Sequence, residues 1–160
     1  MLIAGIVDED FVNYKKPCMT VMFPFCTFKC NKECGQDVCH NSALADAELI
    51  SVEAHEIVDR YLDNKISEAI VMQGLEPFDS FDDLFDLVHE FASRSNDDIV
   101  IYTGYYYNEI SEMVHTFSQV VTEGKLIIKY GRYVPDEDKH FDEVLGVYLA
   151  SSNQYAEFLK

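Results

Sequence analysis

AIVMQGLEPFDSFDDLFDLVHEFASRSNDDIVIYTG, residues 69–104, carries the pattern that decides the fold. Ala69 to Gln73 is a short apolar run of the kind that makes a buried strand, and Gly74 and Pro77 break it. Ser80 then stands three residues before Asp83 in a capping-box-like arrangement, and Phe81, Leu84, Phe85, Val88 and Phe91 fall on one helical face. Asp98 to Thr103 reads as a further strand that ends at Gly104. A strand, a helix and a strand in this order form a right-handed βαβ unit with parallel strands.

The same alternation continues on both sides. Upstream, Met19 to Phe23 is a strand stopped by Pro24, and Ser51 to Asn64 is an amphipathic helix with Ala54, Ile57, Val58, Tyr61 and Leu62 on one face and Ser51 as N-cap. Downstream, Ile110, Met113, Val114 and Phe117 mark another helix. Leu126 to Ile128 and Val144 to Ala150 read as further strands, separated by a polar loop from Pro135 to His140. The expected architecture is α/β, a three-layer or partial-barrel arrangement of mainly parallel strands with flanking helices. Ligands of such sheets sit beyond the carboxyl ends of the strands. Three loops fall at that rim: Cys26 to Asn41, Gly74 to Asp79, and Thr103 to Asn108.

At 160 residues the chain is expected to form a single domain, 1–160, and 48% apolar residues supply ample core. Twelve Lys and Arg against 29 Asp and Glu give a net charge of −17, which repels phosphate backbones and anionic lipid heads. Nucleic acid and membrane are therefore not expected partners. The run Leu2 to Val7 lacks a basic flank and meets Asp8, Glu9 and Asp10 at once, so it does not read as a signal peptide. No apolar stretch approaches the roughly 18 residues of a membrane span, and the expected location is the cytoplasm.

Cys18, Cys26, Cys30, Cys34 and Cys39 all fall in the first quarter of the chain, and there is no cysteine after them. An odd number of clustered thiols argues against a disulfide framework and for metal or redox chemistry. Three readings stand open on spacing alone. They are a cubane iron–sulfur cluster, a structural zinc site built from Cys26, Cys30, Cys34 and Cys39, and inert buried thiols. A cubane held by three cysteines keeps one iron open to a substrate.

Phe23-Pro-Phe-Cys-Thr-Phe-Lys-Cys30 followed by Cys39-His-Asn41 resembles the small radical S-adenosylmethionine enzymes that activate anaerobic ribonucleotide reductase. Gly74-Leu-Glu-Pro77 is similar to that family's Gly-Gly-Glu-Pro turn, and Ile101-Tyr-Thr-Gly-Tyr105 to its strand ending in Thr-Gly-Tyr. Tyr130-Gly-Arg-Tyr133 and Ser151-Ser-Asn-Gln154 resemble its late segments. The likeness runs from about Pro17 to Gln154. The family spaces its cysteines by three and then two residues, whereas eight residues separate Cys30 from Cys39, through an insertion, Asn31 to Gln36, that contains Cys34. Val38 before Cys39 and His40-Asn41 after it reproduce the family context, so Cys39 is preferred over Cys34. Leu75 stands where the family usually has Gly.

The resemblance implies that Cys26, Cys30 and Cys39 hold a 4Fe-4S cluster whose open iron takes the amino and carboxylate groups of S-adenosyl-L-methionine. Glu76 would help bind the amino group, Gly74 would allow close approach, Val38 would touch adenine, and Thr103 and Gly104 would line the same pocket. With its turn at the rim, removal of the Glu76 carboxylate is expected to cost little stability. The implied activity is formation of a 5′-deoxyadenosyl radical that abstracts hydrogen from a glycine of a partner glycyl radical enzyme, an anaerobic ribonucleotide reductase, with an electron donor such as flavodoxin. A small-molecule radical S-adenosylmethionine enzyme and a non-enzymatic zinc or iron–sulfur module are the alternatives. The first would need polar pocket residues for its substrate.

Overall fold

The computed structural model describes residues 1–159. The strands are β1 (Leu2–Ile3), β2 (Gly5–Asp10), β3 (Cys18–Phe23), β4 (Ile50–Ser51), β5 (Ala69–Gly74), β6 (Asp98–Tyr102), β7 (Leu126–Tyr130), β8 (His140–Asp142), β9 (Val147–Leu149) and β10 (Tyr155–Phe158). The α-helices are α1 (Lys29–Cys34), α2 (Ala54–Asp63), α3 (Phe81–Arg94) and α4 (Tyr107–Phe117). Six strands form the central sheet in the order β10-β7-β6-β5-β3-β2, in which β3, β5, β6 and β7 run parallel and the two edges are antiparallel. The expected mainly parallel α/β sheet with flanking helices is what the chain forms, and the sheet stays open instead of closing into a barrel.

Because successive parallel strands are neighbours, right-handed crossovers put α2, α3 and α4 on the same face. Met72, Ile101 and Ile128 from the strands pack there against Ile57, Leu87, Phe91 and Phe117 from the helices. Phe91 is fully buried, and truncating such a side chain to Ala costs about 3–5 kcal/mol. The alternate residues of the same strands point the other way. Val71, Val100 and Ile127 pack with Tyr14, Leu145 and Leu149, so the β8–β9 hairpin and the 11–17 segment cover this second face. Two residues further along each strand the second face turns polar, at Gln73, Tyr102 and Lys129, all of which line a cavity.

Several local expectations are corrected. Ser51 lies in β4; α2 is capped by Glu53, whose side chain and that of Glu56 bond each other's backbone N–H groups. Ser80 occupies the N-cap position of α3 but makes no side-chain cap bond, and its hydroxyl is buried without a partner. The segment Val144 to Ala150 contributes only Val147–Leu149, paired antiparallel with His140–Asp142 outside the central sheet. The edge strands β2 and β10 were not expected. Leu62 and Met113, assigned to buried helix faces, are exposed. Among the described residues no helix is long and apolar enough to cross a membrane.

Candidate metal centre

The cysteine loop leaves β3 and is fastened at once to the end of its neighbour. Leu75 N–H donates to Phe23 O at 3.1 Å and Glu76 N–H to Phe25 O at 2.9 Å. That approach requires Gly74. Its φ is +115°, and a Cβ there would meet Phe23 N and O at 2.7 Å. The same glycine therefore serves strand-to-strand contact and also lines the cavity. Asn41 closes the far end of the loop, its Nδ2 donating to Gly74 O at 3.0 Å.

Within the loop, Phe28 adopts the left-handed region at φ 52°, uncommon for a bulky side chain, and its N–H reaches Cys26 Sγ at 3.1 Å. Cys30 sits in the first turn of α1, a helix that ends on Gly35 at φ 67°. Thus much of the insertion is helical. Asn31 ties its base together: Oδ1 accepts from Val38 N at 3.0 Å and from Cys39 N at 3.1 Å, and Nδ2 donates to Asp37 Oδ1 at 2.9 Å. Burial pushes the Cys26 thiol up to about 11; burial and then the neighbouring Cys39 raise that of Cys30.

Cys26, Cys30 and Cys39 share the wall of one cavity of about 540 Å³, together with Gly74, Glu76 and Gly104. Cys34 and Val38 are not among its lining residues. Cys18 is fully buried in the second-face core, its thiol pushed up to about 12 by burial. A cubane takes each of three thiolates on a different iron, and three cysteines on the wall of one cavity fit such a cluster, whereas Cys34, which the four-cysteine zinc reading needs, does not share that wall.

Glu76 is not a solvated turn acid. It is 4% exposed; Oε1 accepts from Thr103 Oγ1 at 2.7 Å and Phe78 N at 3.2 Å, and Oε2 from Gly104 N at 2.8 Å. Burial raises its pKa to about 7 against these bonds, which favour the ionised form. Thr103 is buried and does not line the cavity; it reaches the site through Glu76. The expectation that the Glu76 carboxylate could be removed at little cost fails, because its loss would orphan buried donors. Leu75 lies on the cavity wall.

Two cations in the cavity wall were not singled out in the sequence. Lys129 is 7% exposed, donates to Gly131 O at 2.8 Å, and has its pKa lowered to about 8 by burial, with Glu76 opposing the shift. Alternation from Ile127 places this lysine on the inner side of the strand, one residue beyond the expected end at Ile128. Arg132, 5% exposed, holds Glu109 through both terminal nitrogens, and its Nε lies 3.2 Å from Glu33 Oε1 on the insertion. Tyr105 Oη donates to Asp79 Oδ1, while Lys29 Nζ sits 4.4 Å from the Tyr105 ring centre. These contacts tie Tyr105 to the rim.

Searches of curated proteins and of solved structures returned no significant match. Residues 18–154 match a family model described as a 4Fe-4S single cluster domain. The matched region takes in all five cysteines, every cavity-lining residue except Asn13, and the four parallel strands of the central sheet. With three thiols around a cavity at the carboxyl ends of its strands, the chain belongs to the family of 4Fe-4S single cluster domain proteins.

Proposed function

We propose that the chain is a radical S-adenosylmethionine enzyme of the glycyl radical activase type, acting in the cytoplasm on an anaerobic ribonucleotide reductase. The observation that carries this reading is the presence of three thiols and a buried, ionisable carboxylate on one cavity. Cys26, Cys30 and Cys39 would hold the 4Fe-4S cluster. When bound and reduced, that cluster supplies the electron for reductive cleavage of a sulfonium, giving methionine and a 5′-deoxyadenosyl radical.

The chain's own residues would receive the rest of S-adenosylmethionine. Glu76 would face the ammonium, and an incoming cation favours its ionised form. Thr103 Oγ1 and Gly104 N–H fix the direction of the carboxylate. Gly104 would line the adenosine side, whereas Val38, which lies outside the cavity lining, is left out of that contact. The sheet's second face excludes water below the cavity through Val71, Val100 and Ile127. A one-electron carrier such as flavodoxin would reduce the cluster.

Anaerobically reconstituted protein given S-adenosylmethionine and a strong reductant should form 5′-deoxyadenosine. Adding the cognate reductase should give a glycyl radical visible by electron paramagnetic resonance. No cleavage by a fully loaded cluster would overturn the radical-enzyme reading. A second reading, a radical enzyme acting on a small polar molecule, is favoured by Gln73, Tyr102, Lys129 and Arg132 in the cavity wall. Cleavage without a radical on any reductase would select it.

A further inference from the structure

Eight residues separate Cys30 from Cys39, yet both thiols line the same cavity. Ordinarily a gap of this length is a flexible loop, and each added residue gives the second thiol more positions to occupy. Here the path is fixed. The chain turns through α1, reverses at Gly35, and returns to its starting point, where a single side chain spans the gap.

That side chain is Asn31. Its Oδ1 takes the N–H of Val38 and the N–H of Cys39 together, and its Nδ2 holds Asp37. These three contacts are with residues on the returning limb of the loop, one of them the backbone of Cys39 itself, and a fourth is with Cys30, whose Sγ donates to Oδ1 at 3.7 Å. We infer that Asn31 is a positioning residue for the cluster: it clips the base of the six-residue excursion and sets Cys39 beside Cys30, as a two-residue spacing would. This rests on Cys26, Cys30 and Cys39 being the ligands. A corollary follows from the numbering. Removing residues 31–36 joins Cys30 to Asp37-Val38-Cys39 and leaves two residues between the cysteines, so the shortened chain has no gap to clip.

The test compares Asn31→Ala, the exchange pair Asn31→Asp with Asp37→Asn, a deletion of residues 31–36, Cys39→Ser and Cys34→Ser. Iron and sulfide per chain are measured after anaerobic reconstitution, as is the rate of iron release to a chelator. Asn31→Ala should release iron about 10–100-fold faster, the range typical of lost support to a metal ligand. The exchange pair keeps an oxygen acceptor at 31 and an amide donor at 37, and should restore slow release. The deletion should hold its cluster although Asn31 is gone. Wild-type release by Asn31→Ala, while Cys39→Ser loses its cluster, would overturn the inference and leave the ligand set standing. An exchange pair as defective as Asn31→Ala would overturn it as well. Retention of cluster by Cys39→Ser with loss in Cys34→Ser would instead defeat the ligand set, and the inference with it.

Discussion

Gly74→Ala should destabilise the protein by about 3 kcal/mol, because two separate costs fall on one methyl group. The first is backbone strain. At φ +115° an L-residue is held in a sparsely populated region at about 1–3 kcal/mol. The second is contact: the new Cβ would lie 2.7 Å from Phe23 N and O, atoms of the neighbouring strand that have no rotamer to escape into. Relief requires the ends of β3 and β5 to part, which breaks the Leu75 to Phe23 hydrogen bond and forfeits about 0.5–1.5 kcal/mol. For a chain of this size about 3 kcal/mol corresponds to a melting temperature lower by roughly 6–12 °C. Urea denaturation of the cluster-free protein under reducing conditions gives the value, read from the midpoint at unchanged slope. Gly124→Ala isolates the first cost, since its φ is +76° and nothing lies within 4 Å of the added carbon. If Gly74→Ala were no more destabilising than Gly124→Ala, the claim that the strand-to-strand approach demands glycine would be wrong.

Thr103→Val should cost about 1.5–3 kcal/mol, because it removes a donor to a buried carboxylate, and Thr103→Ser should recover most of it; urea midpoints decide. The Arg132 hydrogen bonds hold Glu109 at about 2, below its ordinary 4.5, so the stability this pair contributes is complete above about pH 4.5 and is lost as pH falls toward 2. Glu109→Gln should flatten that part of the stability–pH curve; an unchanged acid limb would refute the coupling. Cys34→Ser should retain its iron after reconstitution, and Cys26→Ser should not, as read by iron content and visible absorption.

Much of the sheet was legible because its strands lie between strong breakers. Ala69 to Gly74 and Asp98 to Tyr102 are apolar runs closed by glycine or a glycine turn, and both are buried on two faces. The edges were not. Gly5–Asp10 has the sequence GIVDED, with an acidic end that reads as loop, and it is a strand only because β3 supplies its hydrogen-bond partners. Tyr155–Phe158 likewise depends on Tyr130 and its neighbours. At the site, cysteine spacing and the Gly-Leu-Glu-Pro turn drew attention to the right loops, and their meeting followed from parallel topology. Lys129 is hard to read because a charge ordinarily marks the end of an apolar strand, whereas here alternation carries it inside. Asn31 was missed because a side-chain clip across seven or eight residues leaves no periodic trace.

The antiparallel margins of the sheet have a consequence for how a reactive species could be protected. With β2 beyond β3 and β10 beyond β7, neither margin can continue the parallel series, so the strands cannot wrap around to enclose what lies above Gln73, Tyr102 and Lys129. On the proposed function, the reactant would help to complete the enclosure, and protection of a short-lived radical from solvent would be a joint property of this chain and the molecule seated on it. A reactant that fits badly would be punished by quenching as well as by weak binding.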